Sequence, residues 1–526
     1  MKEEIAMANT KTPQAQASAP NRKTRRTLNK KVKKYHPYLM PGLDVLIGDP
    51  DILKPEKKTK KKCDTMIIPA FYIERIMRFR AENNTNRSEA ANNLMRTFSV
   101  ILEFIHESGG ECYTCENGMV IIFAGIMKSF PNESTARHTV RTAQAFLDYS
   151  EGNSDAQPLL EGGINLEIKR EDFAILTGDD GLSAEASFAN LDVAHVNPEV
   201  YTGRRTVKMK DSILSQWNNN NYVTLKDFKK AYPKEKEVQP NEFVYFELTE
   251  DQTLSSGMAY EPGKLPANFV NYIGRCEYIN DEWCIQKIRF IDDLPYYIKP
   301  RTIGQAILLE SLMAPVSAIP LIICNGTFGT GKTFLSVAVA LLMTKYQKNP
   351  RYDQIFVCPR DSHFGEEIGF VSGDETEKTL TKAKPIVDSI YNFLRLKDNS
   401  GKNGEKKGYQ QLTKDVEAIL DEYFTFTPVI NMGGRSLTNC FVIYDEAQDF
   451  ERFQAFQLLK RIGDGSKVIL CGDNSQVTNP HLNKHSNGLA SAASKMEGSQ
   501  YAAVITIFDW EVVRSLIAVE LAKRLG

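Results

Sequence analysis

The chain has 526 residues, a length that suggests roughly two to four domains, and its 42% hydrophobic and 25% charged residues are typical of a globular protein. The formal net charge of −1 excludes a chain whose overall field attracts nucleic acid, so any basic surface must be local. No apolar run reaches the roughly 18 residues of a membrane span, and the first residues lack the apolar core of a secretory signal.

The chain begins with a polar stretch, residues 1–36, in which eight lysines and arginines lie between positions 22 and 34. Because this stretch offers few apolar residues for burial, its composition predicts a disordered basic arm. Two interpretations of the arm stay open: a solvated tail, or a contact for the phosphate backbone of a nucleic acid.

Residues 37–205 alternate short apolar segments with amphipathic ones, and this alternation predicts an α/β domain. Its expected strands are 43–47, 66–68, 120–124 and 173–177, and its clearest expected helix is 87–108. The next residues, 206–295, are aromatic, polar and rich in strand-forming types. They predict a small mixed connector domain.

Residues 296–526 predict a second α/β domain with a parallel sheet. Its five expected strands are, in chain order, 319–324, 354–358, 440–444, 467–471 and 503–508. A helix is expected from residue 334 to about residue 346. This helix is apolar on nearly all faces, which is typical of a helix buried against a sheet.

A complete Walker A motif joins the first strand of this domain to its first helix. Its glycines let backbone N–H groups approach phosphates, and the amino terminus of the helix adds a partial positive charge. The motif predicts that Lys332 reaches the β- and γ-phosphates of ATP and that Thr333 ligates Mg²⁺. The residues expected to bind the nucleotide are Gly326, Thr327, Phe328, Gly329, Thr330, Gly331, Lys332 and Thr333.

Polar residues at three further positions complete the predicted nucleotide site. The third expected strand ends in Asp445 and Glu446, which would hold Mg²⁺ and activate the attacking water, respectively. Gln476 follows the fourth strand and is expected near the γ-phosphate as a sensor of nucleotide state, because ligands gather at the carboxyl ends of parallel strands. Upstream of the motif, Gln305 could bind both the acceptor and the donor edge of adenine through its amide.

These motifs, in this order, resemble those of the PhoH-like ATPases over residues 296–526. The segment from Gly434 to Gln448 is similar to that family's Walker B region, and the segment from Arg461 to Gln476 is similar to its next motif. Residues 365–370 fit a further one. The resemblance implies a RecA-like P-loop NTPase domain that hydrolyses ATP with Mg²⁺.

The N-terminal half resembles the PIN domain that precedes this ATPase in one branch of the family. PIN nucleases gather several carboxylates around Mg²⁺ or Mn²⁺ to activate water, and the resemblance implies this role for Asp44, Glu74, Asp155 and Asp179. Gly42 departs from the family, whose first strand has an aspartate at that place. Two interpretations therefore stay open: an active metal-dependent ribonuclease, or a degenerate domain used for assembly or RNA binding.

The motif set is also similar to that of two-lobed helicases, which bind ATP between two RecA-like lobes. About 195 residues follow Lys332, which is room for one lobe at ordinary domain sizes. We therefore expect a homo-oligomeric ring, such as a hexamer, in which a neighbouring subunit supplies an arginine to the transition state. Arg514 and Arg461 are the candidates for this arginine.

The expected function is ATP hydrolysis that acts on RNA or single-stranded nucleic acid, as a helicase coupled to a PIN-type ribonuclease. The alternative is an assembly protein whose oligomeric state is set by ATP, with an inactive PIN-like domain as a docking module. The nine cysteines are scattered and odd in number, which favours free thiols in the cytoplasm.

Overall fold

The computed structural model describes residues 35–55, 57, 61–81, 85–110, 112–124, 133–152, 168–195, 201–261, 264–358, 384–399, 408–426, 436–479, 482, 484–485 and 487–513. These residues form three β-sheets, one in each of the N-terminal, middle and C-terminal parts of the chain. None of the helices in these ranges is long and apolar enough to cross a membrane. Residues 1–34, 365–370 and 434–435, together with Asp155 and Arg514, lie outside the described residues.

The N-terminal sheet consists of six strands: β1 (Tyr38–Pro41), β2 (Thr65–Pro69), β3 (Tyr113–Thr114), β4 (Val120–Ala124), β5 (Phe173–Thr177) and β6 (Asp192–His195). Their order is β3-β4-β2-β1-β5-β6, and all neighbours are parallel except β3 and β4. The helices are α1 (Leu43–Gly48), α2 (Tyr72–Ala81), α3 (Thr85–Ser108), α4 (Thr135–Ser150) and α5 (Asp180–Phe188). The predicted α/β class is confirmed, and every residue of β2 and β5 is buried, as expected for a parallel sheet covered on both faces.

The strand predicted at residues 43–47 is wrong, because this segment forms helix α1. The first strand lies just upstream as β1, and it ends where the Gly42 N–H donates to the carbonyl of Leu176. A short apolar run fits a buried helix turn as well as a strand, so hydrophobicity alone does not separate the two. Asp44 therefore lies in the first turn of a helix at the carboxyl edge of the sheet.

The middle sheet consists of β7 (Arg204–Lys208), β8 (Tyr222–Thr224), β9 (Phe243–Glu247), β10 (Ile273–Ile279) and β11 (Glu282–Lys287) in the order β7-β9-β10-β11-β8. Helices α6 (Asp211–Asn220), α7 (Leu225–Ala231) and α8 (Glu250–Ser255) accompany it. Trp217, Phe228 and Phe246 belong to one hydrophobic core that continues into the C-terminal part of the chain. The connector domain therefore shares a hydrophobic core with the C-terminal domain.

The C-terminal sheet consists of β12 (Leu321–Gly326), β13 (Gln354–Cys358), β14 (Phe424–Phe426), β15 (Cys440–Tyr444), β16 (Lys467–Gly472) and β17 (Ala502–Ile507). Its order is β14-β13-β15-β16-β12-β17, with every pair parallel. Its helices are α9 (Ile303–Met313), α10 (Lys332–Leu341), α11 (Lys384–Asn399), α12 (Tyr409–Tyr423), α13 (Arg452–Leu459) and α14 (Gly488–Lys495). The strands predicted at 354–358 and 440–444 are confirmed without a shift, and the carboxyl ends of β12, β15 and β16 meet at one edge.

An arginine on the C-terminal domain joins it to the N-terminal domain. Arg452, the first residue of α13, contacts the carboxylates of Asp49 and Asp51 at 2.8 and 2.6 Å. Lys495 reaches Asp51 at 3.3 Å. Because Asp49 and Asp51 follow directly after α1, these ion pairs fix the end of the helix that carries Asp44.

Replacement of Arg452 by alanine should loosen this junction. An exposed ion pair contributes about 0.2–1 kcal/mol, so loss of two pairs should accelerate hydrogen–deuterium exchange of residues 49–53 by roughly fivefold. Lys495→Ala, which removes only one longer contact, serves as the control and should change the exchange less. Exchange in Arg452→Ala that equals wild type would contradict the proposed role of this junction.

Candidate functional site

The Walker A segment lies at the carboxyl end of β12 and leads directly into α10, which begins at Lys332. Gly329 and Gly331 have φ angles of +75° and +90°, a conformation that L side chains rarely adopt. These glycines let the loop turn back over the amino terminus of α10. The resulting geometry suits a phosphate, because free helix N–H groups and the helix dipole both favour an anion there.

Hydrogen bonds within the loop fix its shape. The Thr330 hydroxyl donates to the carbonyl of Thr327 at 2.7 Å. The Lys332 ammonium donates to the carbonyls of Gly326 and Thr327, the latter at 3.1 Å. The lysine charge is therefore held over the loop, at the position from which it would contact a bound phosphate.

The strongest feature of the site is a contact between the two predicted metal-binding side chains. The Thr333 hydroxyl lies 3.1 and 3.2 Å from the two carboxylate oxygens of Asp445 at the end of β15. Burial raises the pKa of Asp445 to about 6, with a further contribution from Glu446, against the opposing effect of Lys332 and of the Thr333 hydroxyl. A half-buried hydroxyl beside a buried carboxylate fits a Mg²⁺ site, because hard cations prefer oxygen ligands.

Gln448, which is not among the predicted site residues, holds the second acidic residue, Glu446, in place. Its amide donates to the Glu446 carboxylate at 2.7 Å and accepts from the Asp473 N–H at 2.9 Å. Gln448 is fully buried, while Glu446 has a left-handed φ of +55°. The sequence signal for Gln448 is its position as the last residue of the Asp-Glu-Ala-Gln motif at 445–448.

The predicted sensor Gln476 is exposed in the loop after β16, where its N–H donates to the carbonyl of Asp473. Asp473 and Asn474 begin the same loop, directly after β16. The side-chain oxygens Asp473 Oδ2 and Asn474 Oδ1 are buried and have no hydrogen-bond partner within the described part of the chain. The Asn474 N–H donates to Asn325 on β12, next to the Walker loop. Unpaired buried acceptor oxygens at this edge fit a hydrated cation, and the sensor role of Gln476 stays a prediction.

The predicted adenine-binding residue, Gln305, contacts the Walker loop instead of facing an open space. It is buried, its amide nitrogen donates to the Thr330 carbonyl at 2.9 Å, and its amide oxygen accepts from the Arg301 N–H at 2.9 Å. Both ends of the amide are therefore engaged by backbone groups. Gln305 supports the loop in this arrangement, and adenine binding by it stays a prediction.

Of the two candidate arginines, Arg461 is described by the structure, and it is not part of the nucleotide site of its own subunit. Arg461 accepts a hydrogen bond from the Leu437 N–H through its carbonyl, and Leu437 lies before the amino end of β15. Arg461 is thus at the opposite edge of the sheet from the Walker loop. Arg514 lies outside the described residues, so both assignments stay predictions.

Two of the four predicted PIN carboxylates come together in the N-terminal domain. Asp44 accepts from the Thr177 hydroxyl at 3.1 Å and from the Gly178 N–H at 2.9 Å, and Asp179 caps α5 by accepting from the Leu182 N–H. Burial, and secondarily the nearby Asp179, raises the pKa of Asp44, although its hydrogen bonds oppose this shift. Both carboxylates line a cavity of about 740 Å³.

The other two carboxylates do not complete a metal site in the described residues. Glu74 lies on the exposed surface of α2, where it is paired with Arg78, and it does not line the cavity. Asp155 lies outside the described residues. No group of three or more histidine, cysteine, aspartate or glutamate side chains within the described ranges is arranged to hold a metal.

The space expected for an aspartate at position 42 is filled by Asp44. A Cβ at Gly42 would lie 2.2 Å from Asp44 Oδ1 and 2.7 Å from Leu182 Cδ2. The opposite wall of the cavity comes from α13 of the C-terminal domain, through Arg452, Phe453 and Phe456. The acidic pair therefore faces the domain that carries the Walker motifs.

Comparison with known proteins agrees with this geometry. Residues 297–525 match the family described as PhoH-like protein. The chain is 28% identical to Protein PhoH2 of Bacillus subtilis (strain 168) over 335 residues, which are 63% of this chain and 66% of that protein. It is 31% identical to the PhoH-like protein of Synechocystis sp. over 191 residues, 36% of this chain and 52% of that protein. The alignment with PhoH2 is longer than the family match, so the similarity extends beyond residues 297–525.

A PhoH-like protein of Bacillus subtilis (strain 168) is 30% identical over 226 residues, 43% of this chain and 63% of that protein. The matched region thus spans between about half and two thirds of the length of these three relatives.

The buried Asp445 carboxylate should destabilise the fold when nucleotide and metal are absent. The pKa of Asp445 is about 6 in the folded protein and 3.8 in the unfolded chain, so the unfolded chain releases this proton more readily. The free energy of unfolding therefore falls as the pH rises from about 4 to 6, and it stays lowered by the full amount above pH 6. Asp445→Asn should therefore raise the free energy of unfolding at pH 8 by up to about 3 kcal/mol, and the gain should vanish near pH 4. Urea unfolding at both pH values measures this.

The same variant gives a control for the origin of the effect. Addition of Mg²⁺ to the nucleotide-bound protein should stabilise wild type further and should add little to Asp445→Asn, because the carboxylate charge is needed to hold the metal. An Asp445→Asn protein that is less stable than wild type at pH 8 would contradict the desolvation argument.

Proposed function

We propose that this chain, which belongs to the PhoH-like family through its P-loop domain at residues 297–525, hydrolyses ATP with Mg²⁺. The observation that carries the proposal is the direct contact of Thr333 with Asp445, which joins the Walker loop to the end of β15. Nucleotide binding alone requires only the loop. Hydrolysis also requires a bound metal and an activated water. The buried carboxylate of Asp445 beside the loop and the following carboxylate of Glu446 could supply these two functions.

The role of each residue follows from its position. Lys332 and the N–H groups at the start of α10 would bind the β- and γ-phosphates, and Thr333 with Asp445 would hold the metal. Mg²⁺, when bound, neutralises charge that develops on the phosphate oxygens. Glu446, oriented by Gln448, would accept a proton from the attacking water.

Two substitutions separate binding from hydrolysis. Lys332→Ala should weaken ATP binding and reduce turnover by at least about a hundredfold, because it removes the charge at the phosphates. Glu446→Gln should bind ATP as wild type does and lose about 10²–10⁴ in turnover, since only the proton acceptor is lost. Isothermal titration and phosphate release measure the two quantities.

Lys345→Ala, at the far end of the helical segment that follows the Walker loop, is the matched control for loss of a lysine charge. Its turnover should equal that of wild type. Unchanged turnover in Lys332→Ala would remove the assignment of the ATPase site.

We further propose that hydrolysis is coupled to RNA or another single-stranded nucleic acid in the cytoplasm. Support comes from the helicase-like motif set, from the basic arm at residues 1–36, and from nine cysteines that are all free thiols. In this proposal the chain works as a homo-oligomeric ring, in which Arg461 or Arg514 of a neighbouring copy completes the site. A strand moved by the ring would be delivered to the cavity that contains Asp44 and Asp179.

The second candidate is an assembly protein in which ATP sets the oligomeric state and the N-terminal domain is an inactive docking module. One specific observation favours an inactive N-terminal domain. Asp44 and Asp179 are the two predicted carboxylates that meet among the described residues, Glu74 is paired elsewhere, and Gly42 replaces an expected acid. Two carboxylates are fewer than the several that a metal-dependent nuclease of this kind gathers around its metal.

A nucleic-acid experiment distinguishes the candidates. Single-stranded RNA should raise the rate of ATP turnover in wild type, whereas an assembly protein should show neither stimulation nor RNA binding. In Mn²⁺, we expect RNA cleavage by wild type to be no faster than by Asp179→Asn, because the acidic cluster is incomplete. Cleavage by wild type that Asp179→Asn abolishes would instead establish the nuclease.

A further inference from the structure

The orientation of a nucleotide on the Walker loop follows from the sheet order. The terminal phosphate must lie toward Asp445 at the end of β15, and β16 separates β15 from the loop strand β12. The nucleoside must then extend to the other side of β12, where β17 is the neighbouring strand. This step rests on the proposed function, since it takes ATP as the ligand.

The segment after β17 is fixed against the Walker loop at that side. The Val513 N–H donates to the Gly329 carbonyl at 3.2 Å. The carboxylate of Glu511 accepts from the N–H of Gly304 at the start of α9 and from the N–H of Phe508. Arg204, the first residue of β7 in the middle sheet, pairs with the same carboxylate at 3.2 Å. Residues 508–513 are thus bonded to the Walker loop, to the start of α9 and to Arg204.

A large aromatic side chain projects from this fixed segment. Trp510 is 75% exposed, the highest exposure of a tryptophan in the chain. One face of its indole stacks on Phe508, with ring centroids 4.4 Å apart and 16° between the planes. The Arg204 guanidinium lies 4.2 Å from the Phe508 ring centroid. The ring is therefore held from behind, while most of the indole surface is open to solvent.

We infer that Trp510 is the stacking platform for the purine base of the nucleotide on the Walker loop. A flat, supported ring at the nucleoside side of the loop offers what a base requires, because base–aromatic stacking binds any base through its π face. Both ends of the Gln305 amide are engaged by the backbone, so base recognition by Gln305 would require these hydrogen bonds to break, whereas stacking on Trp510 does not. The site should therefore accept ATP and GTP with similar affinity.

The experiment compares three ligands on the full-length protein: ATP, GTP and inorganic tripolyphosphate, which has the phosphates without the base. Trp510→Ala should weaken ATP and GTP binding by roughly tenfold and leave tripolyphosphate binding unchanged, because stacking involves only the base. Tyr501→Ala is the matched control, since Tyr501 is an exposed aromatic next to the amino end of β17, away from the loop. Its affinities should equal those of wild type.

Intrinsic fluorescence gives an independent readout. Trp217 is buried and Trp283 is half-buried, so a base that stacks on Trp510 should quench the most exposed indole. ADP should quench wild-type emission, and Trp510→Phe should bind ADP with nearly wild-type affinity while losing the quenching. The phenyl ring still stacks, although it does not report in the tryptophan window.

Three outcomes would overturn the inference. Equal loss of ATP and tripolyphosphate binding in Trp510→Ala would mean that the residue supports the loop. Unchanged ATP binding would put the base elsewhere, and unchanged ATP binding with weaker RNA binding would assign the ring to a nucleic-acid base. If wild type bound neither ATP nor tripolyphosphate, the proposed ATPase function itself would be wrong. The other three outcomes contradict only the role of Trp510 and leave the proposed ATPase function unaffected.

Discussion

The arrangement of the nucleotide site depends on one constraint, the burial of the Asp445 carboxylate at the end of β15. Asp445 has a hydroxyl from Thr333 beside it and a second acid, Glu446, directly after it. Such a charge is costly to bury unless a cation compensates it. The Walker loop, the neighbouring strand β16 and the buried amide of Gln448 are all arranged around this position. The site is therefore most favourable when it is filled.

The same stretch of chain connects the nucleotide site with the N-terminal domain. Seven residues after Asp445, α13 begins with Arg452, which is paired with two aspartates that follow α1. Helix α1 carries Asp44, and α13 forms one wall of the cavity that contains it. The two acidic centres are thus linked by a short, continuous series of packed groups. Such packed contacts can couple the nucleotide site to the cavity of the N-terminal domain. Coupling would be established by a change in the free energy of binding at one site when the other site is occupied.

Sequence reasoning performed best where burial and chain order alone decide the outcome. Strands β13 and β15 lie at their predicted residues because apolar runs bounded by polar residues have few alternatives in a parallel sheet. The run at 43–47 is interrupted by Asp44, and its apolar residues fit the buried side of a helix turn as well as a strand. Gln448 carried a signal in its place within the Asp-Glu-Ala-Gln sequence, whereas Trp510 could not be predicted, since its role depends on how the segment after β17 lies against the Walker loop. The partners of Gln305 were unpredictable for the same reason.

The close approach of Gly42 to Asp44 has a consequence for how such a domain can change over generations. Any side chain at position 42 would collide with the carboxylate that now fills the space. An aspartate placed there by a single substitution would have to displace Asp44 and its bonds to Thr177 and Gly178. A side chain at position 42 and the present arrangement of Asp44 therefore exclude each other, and an acid could enter there only together with a rearrangement of Asp44.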